Sequence, residues 1–348
     1  MEYRALGRSG LRVSTLALGT MTFGGLGAFA STGSADVDEA RGLVDIALDH
    51  GVNLFDTANM YSGGLSEEIL GETLRGRRDR ALIATKVRMR MGEGPNDAGL
   101  SRAHIIAQCE ASLRRLRTDH IDLYQTHEWD GVTPLEETLS ALESLVTAGK
   151  VRYIGSSNSA GWQLMKALST SAMRGFERFV SQQIHYTLQA REAEYELLPI
   201  AVDQGVGALI WSPLAGGLLT GKHRRGTPPP PGSRDLAAWG EPPVRDTEAL
   251  YDIVEVLVDV AAAREATPAQ VALAWVLGRP GVTSVVIGAR TPEQLIGNLA
   301  AAELRLSDDE RTRLDAVSAP PVIYPYWHHA RSAPDRLSAA DITAMQAL

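Results

Sequence analysis

The chain has 348 residues, 44% of them hydrophobic, a formal net charge of −8 and a sequence pI near 5.6. An acidic chain without a long basic run is poorly suited to polyanions, which excludes nucleic acid as a partner. The single cysteine, Cys109, rules out an internal disulfide, and no apolar stretch is long enough to span a bilayer. The start, Met1-Glu2-Tyr3-Arg4, carries no secretion signal, so the expectation is a cytoplasmic protein off the membrane.

Residues Tyr3 to Val13 hold Gly7-Arg8-Ser9-Gly10 between short alternating runs and read as a hairpin. Leu16-Ala17-Leu18-Gly19 is the first of eight strands, followed by Thr20-Met21-Thr22-Phe23. Next, Gly25-Leu26-Gly27-Ala28-Phe29-Ala30 spells the glycine fingerprint of dinucleotide folds in its alanine-ended form. That fingerprint must open a helix directly, so that the pyrophosphate meets the helix N-terminus. Here Ser31-Thr32-Gly33-Ser34 intervenes, and the stretch reads as a loop. A helix then carries Val37, Ala40, Val44, Ala47 and Leu48 at helical spacing, with Ser34 or Asp36 as its start.

Further strands are expected at about 53–56, 81–86, 121–126, 151–156, 179–184, 206–211 and 282–286, with helices between them. Alternation of this length points to one α/β domain over 1–348, a closed (β/α)8 TIM barrel. Glycines Gly51, Gly149 and Gly205 close three helices. Thr133-Pro134, Thr267-Pro268 and Thr291-Pro292, each with Glu or Gln at the third helical position, open three more. Cys109 shares a helix face with Ile105, Leu113 and Leu116 and is expected in the core. Two extra helices follow the seventh strand: one carries Val254, Leu257, Val258, Ala261 and Ala262, and the other starts at Ser307. A long loop spans about 216–246, and an aromatic tail runs from 319 to 348. The adjacent His328 and His329 lack further ligand spacing, and no metal site is expected.

The chemistry concentrates at strand ends. The second strand delivers Asp56 and, five positions on, Tyr61; the third ends in Lys86; the fourth runs into His127. A parallel barrel gathers these ends on one face. A phenol with a pKa of about 10 is a weak proton donor unless a nearby cation stabilises its phenolate. Lys86 can supply that cation, Asp56 can hold it, and His127 can hydrogen-bond the reacting oxygen. What the set lacks is a hydride donor.

Asp56-Thr57-Ala58-x-x-Tyr61, the strand-final Lys86 and Gln125-Thr126-His127 resemble the tetrad of the aldo-keto reductases, and the likeness runs through nearly the whole chain. The resemblance implies reduction of aldehydes or ketones by hydride from NADP, with Tyr61 as acid. It makes Trp211 the ring that stacks on the nicotinamide, within Trp211-Ser212-Pro213-Leu214-Ala215-Gly216-Gly217-Leu218. Gly216 to Lys222 matches a phosphate loop as far as its lysine, but His223 stands where Ser or Thr should follow. Glycine amides and Lys222 can still cradle a pyrophosphate without a metal. Ser157, Asn158 and Gln183 match the family's carboxamide contacts, and Gly19, Thr20, Met21 and Asp56 join the cofactor side. Gly288, Arg290, Gln294 and Asn298 lie at a helix N-terminus suited to a 2′-phosphate, which favours NADP over NAD. The family often has an acidic residue where this chain has Gly297. Arg234, in the long loop, is either a clasp for the diphosphate or a solvated arginine.

Pocket walls are expected from Met21, Phe23, Met60, Met89 and Trp129, which suggests a partly apolar carbonyl substrate. A homo-oligomer stays open. Two rival readings exist. One is a cofactor-binding regulatory subunit of channel-β type, against which His127 speaks, because that branch of the family tends to lose it. The other is a two-domain dehydrogenase built on Gly25 and Gly27.

Overall fold

In the computed structural model, which describes residues 1–228 and 241–345, eight parallel strands close into a barrel. They are Leu16–Gly19, Leu54–Asp56, Leu82–Val87, Ile121–Thr126, Val151–Ser157, Ser181–His185, Gly207–Trp211 and Val282–Ile287. Each pairs with the next in sequence, and the last returns to the first with Val285–Ile287 against Leu16–Leu18. The strands match the expected spans to within two residues.

Side-chain alternation divides the barrel wall into two faces. Leu16, Leu18, Phe55, Ile83 and Tyr124 join the large cluster packed against the helices. Their neighbours Ala17, Leu54, Ala84, Leu123, Leu209 and Val286 form a separate apolar layer with Leu6 and Val13 of the hairpin. Two residues further along each of these strands, the same register reaches Gly19, Asp56, Lys86, Gln125, Trp211 and Gly288. An apolar floor thus carries a polar layer above it.

The hairpin pairs Tyr3–Ala5 with Arg12–Ser14 and closes the barrel from below. Gly7 between them has φ +58°, and a Cβ there would lie 2.4 Å from the Val180 carbonyl oxygen, so only glycine allows this approach.

Most helix starts follow the expected capping chemistry. Asp36, rather than Ser34, opens Val37–Asp49 in a capping box with Glu39. Thr267 and Ser307 do the same with Gln270 and Glu310, and Thr291 accepts from the Gln294 N–H. Thr133 departs from the pattern. Helix Leu135–Thr147 begins without a side-chain cap, because the Thr133 hydroxyl donates to Asp130 at 2.7 Å in the turn before it. Gly25 to Ala30 forms only a short turn, Gly27–Phe29, and no helix starts before Val37. Cys109 is fully buried, and burial pushes its thiol up to about 12, which leaves it an inert core residue.

The two extra helices are Thr247–Ala263 and Asp308–Val317. The second is tied to the barrel by a buried polar group. Glu194 accepts from Arg191 at 2.9 Å, from Arg279 at 3.2 Å and from the Tyr186 hydroxyl. Asp315 of the helix bonds Arg279 and the Trp275 indole, each at 3.0 Å, and the Arg191 and Arg279 guanidinium groups lie 5.3 and 4.7 Å from the Trp275 ring. The aromatic tail folds back as Tyr326–Ser332 and Ala339–Met345, and Tyr326 stacks on Tyr195. Removing one member of such a buried set strands charges of the other sign. Glu194→Ala should therefore lower unfolding free energy by about 3–5 kcal/mol in urea titrations. A loss below about 1 kcal/mol would mean that water satisfies the two arginines.

Candidate active site

Three strand ends and one loop meet above the apolar floor. Lys86, wholly buried, donates to Asp56 Oδ1 at 2.6 Å, to the Thr57 carbonyl at 2.9 Å and to the Tyr61 hydroxyl at 3.3 Å. The other carboxylate oxygen of Asp56 accepts from Gln183 at 2.7 Å and from Gln125 at 3.4 Å. Tyr61 comes from the turn after the second strand, where Ser62, Gly63 and Gly64 all adopt positive φ. That turn is pinned by the Ser62 hydroxyl, which donates to the Phe23 carbonyl at 3.1 Å. The phenol ring meets Phe29 edge-on at 5.4 Å and His127 edge-on at 5.9 Å. All four residues of the expected tetrad thus converge.

The electrostatics follow from this packing. Burial opposes charge on Lys86, but the Asp56 carboxylate and then Tyr61 outweigh it and hold the ammonium above its usual range. Burial raises the Tyr61 phenol; the Lys86 charge only partly offsets this, and the Asp56 carboxylate adds a smaller rise. Tyr61 is a protonated acid at neutral pH rather than a phenolate. Burial, aided by the charges of Lys86 and Arg88, depresses the His127 pKa to about 3. The imidazole is therefore neutral. Among the described residues its Nδ1 is buried without a partner. A buried N–H without an acceptor costs more than a bare lone pair, so the proton is assigned to Nε2.

The expected cofactor residues line one side of the same rim. Trp211 is half-buried, donates its indole N–H to Asn158 Oδ1 at 2.9 Å and lies 4.6 Å from the His185 ring. Asn158, at φ +50°, also donates to the His127 carbonyl at 3.1 Å. The Ser157 hydroxyl donates to the Gln183 carbonyl at 2.9 Å. Gly216 and Gly217 take positive φ in the turn after the seventh strand, with the Gly216 N–H on the Ser212 hydroxyl. A Cβ at Gly217 would meet nothing, so the turn is open, and the exposed Lys222 has no hydrogen-bond or ion-pair partner among the described residues. Gly288, Arg290 and Gln294 are exposed around the start of helix Pro292–Leu299, with Asn298 half-buried on it. Arg290 reaches across to the carbonyls of Ser31 and Thr32 at 2.8 and 3.0 Å.

Several expectations need correction. Phe23 is fully buried in the main core and offers a substrate no surface, because the loop after it folds back as Gly24 bonds Ala35. The Thr20 hydroxyl is also buried, held by Ser66 at 2.8 Å and the Asp56 carbonyl at 3.2 Å. Leu218 and Pro213 are buried, so their contribution to any cofactor is through backbone. Met21, Met60, Met89 and Trp129 remain half-buried at the rim. Arg234 lies outside the described residues. Sequence reasoning overlooked Gln125, Thr57 and Phe29. Gln125 was legible, since it lies near the end of the strand that runs into His127 and precedes it by two.

The donor set suits a nicotinamide dinucleotide. A half-exposed indole, an open glycine turn with Lys222 and a helix start with Arg290 follow one another around the rim from the tetrad. Comparison with known proteins points the same way. The model of the Aldo/keto reductase family matches residues 15–319. The protein named "Uncharacterized oxidoreductase YrpG" of Bacillus subtilis strain 168 is 44% identical over 324 residues, spanning 89% of this chain and 93% of that one. A "Probable voltage-gated potassium channel subunit beta" of Arabidopsis thaliana is 36% identical over 312 residues, 87% and 92% of the two chains. A "Putative voltage-gated potassium channel subunit beta" of Schizosaccharomyces pombe is 36% identical over 331 residues, 91% and 93% of the two. With the family match spanning most of the barrel and these relatives covering nearly all of both chains, the chain belongs to the aldo/keto reductase family.

Proposed function

We propose that this oxidoreductase is a cytoplasmic, NADP-dependent carbonyl reductase that converts aldehydes and ketones to alcohols, with Tyr61 as the general acid. The observation that carries the reading is the Tyr61 hydroxyl, 3.3 Å from a buried Lys86 paired with Asp56 and beside a neutral His127. The reduced nicotinamide, when bound, supplies hydride to the carbonyl carbon. Trp211 would carry its ring, Asn158 and Gln183 its carboxamide, the Gly216 turn and Lys222 its diphosphate, and Arg290 its 2′-phosphate.

The chain's own residues perform the rest. Tyr61 gives its proton to the carbonyl oxygen as negative charge develops there. Lys86, held charged by Asp56, stabilises the phenolate left behind, a stabilisation that appears only as the proton leaves. His127 donates from Nε2 to the same oxygen without changing charge. Gln125 and Gln183 keep the Asp56 carboxylate oriented, so the lysine stays aimed at the phenol.

A second reading has one support: the relatives named as potassium channel β subunits, at 36% identity. On that reading the chain binds NADPH with little turnover. His127 at the reacting face favours catalysis.

Three outcomes are expected. Tyr61→Phe should lower kcat for a panel of aldehydes by about 10²–10⁴ while NADPH, followed by fluorescence, still binds. Tight NADPH binding with no turnover by either protein would favour the regulatory reading. Because the His127 pKa is depressed and the Tyr61 pKa raised, both keep their working form at neutral pH, and kcat for reduction should be flat between about pH 5.5 and 9. An inflection near neutrality that disappears in His127→Gln would show that the imidazole titrates after all. Arg290→Ala should weaken NADPH binding about tenfold or more and leave NADH nearly unchanged, whereas Gly27→Ala should not abolish binding of either nucleotide. Equal losses for both nucleotides would remove the 2′-phosphate from Arg290.

A further inference from the structure

Two residues beyond Lys86 the rim carries a second cation, to which the reaction above assigns no contact with substrate or cofactor. Arg88 directly follows the third strand and lies beside His127, whose N–H donates to the Val87 carbonyl at 2.8 Å. Its backbone has φ +152°, which L-residues seldom adopt, and the Gly99 N–H holds its carbonyl at 2.8 Å. Backbone forced into a sparse region at a strand end marks a side chain placed for a task.

That side chain is poorly satisfied. An arginine normally makes forked, short hydrogen bonds to a carboxylate. Arg88 instead has a Glu128 oxygen at 3.7 Å and the Met89 sulfur at 3.9 Å, and among the described residues its buried Nε has no partner. The side chain is 37% exposed, so a ligand at the rim can reach it. Neighbouring charges are committed elsewhere. Asp130 accepts from Leu100, Val132 and Thr133, and Arg90 donates to the carbonyls of Gly92 and Gly94. Among the described residues only Glu128 competes for Arg88, and only at ion-pair range.

We infer that Arg88 is a specificity-determining anchor for a carboxylate on the substrate, so that the preferred carbonyl compounds are aldehydes or ketones bearing a carboxylate near the reacting carbon. With the carbonyl oxygen between Tyr61 and His127, a carboxylate on the same molecule exchanges water for the unfilled Arg88 fork. Half-buried Met60, Met89 and Trp129 accept the apolar portion between.

This inference rests on the carbonyl reductase reading, and the test separates the two. The ratio of kcat/KM for 4-carboxybenzaldehyde over benzaldehyde should exceed about ten in the wild type and fall towards unity in Arg88→Gln, through KM for the charged aldehyde. Glu128→Gln should raise the ratio, because it removes the competitor. An unchanged ratio in both variants, or equal loss on both aldehydes in Arg88→Gln, overturns the anchor. Benzoate binding to the full chain, read by tryptophan fluorescence, gives a second readout without turnover. About tenfold weaker binding in Arg88→Gln sustains the anchor even if no aldehyde is reduced, a result that would count against the reductase reading alone. Equal benzoate affinity in wild type and variant overturns it.

Discussion

The buried contact between Asp56 and Lys86 is the constraint on which the site depends. Burying both ions costs several kcal/mol each, and their attraction offsets this only when the remaining lone pairs and protons are satisfied. Here they are satisfied: Lys86 also meets Thr57 and Tyr61, and Asp56 also meets Gln183 and Gln125. Four of the eight strands or their following loops supply the pair and these partners. The barrel must close correctly before the pair is tolerable, and once it is, the lysine has no freedom to turn away from the phenol.

The placement of the pair has a simple geometric origin. Each strand that contributes to the site carries a small or apolar residue facing the hairpin and, two positions later, a polar or ring-bearing one. Ala84 and Lys86, Leu54 and Asp56, Leu123 and Gln125, and Leu209 and Trp211 are the same step repeated. A slip of one residue in any strand would send its functional side chain out among the helices and bring a core residue such as Phe55 or Tyr124 inward. Fold stability and catalytic geometry are thus enforced by one register.

Much of this was legible in the residues themselves. Strand spans, the glycine helix ends and the convergence of Asp56, Tyr61, Lys86 and His127 all follow from local patterns with strong physical causes. What was not legible depends on contacts between distant segments. Phe23 looked like a wall residue because it follows a strand at the open end, yet the loop folds it into the core. Thr133 looked like a cap until Asp130 took its hydroxyl. That the Tyr61 phenol lies above its ordinary range, chiefly through burial and in spite of Lys86, was not legible either, because no linear motif shows how deeply the ring is buried.

The loop between the first strand and the first helix joins two ends of the site. Its Ser31 and Thr32 carbonyls hold Arg290, while Phe29, two residues earlier, packs on the Tyr61 ring. An anion that recruits the Arg290 guanidinium must compete with those carbonyls, so its intrinsic affinity is discounted by the free energy of releasing the loop. By thermodynamic linkage, any ligand that tightens Phe29 against Tyr61 strengthens the grip of the loop on Arg290 and feeds back on the anion. On the proposed NADP reading, any selectivity for the phosphorylated dinucleotide would be a property of this loop equilibrium as well as of one arginine.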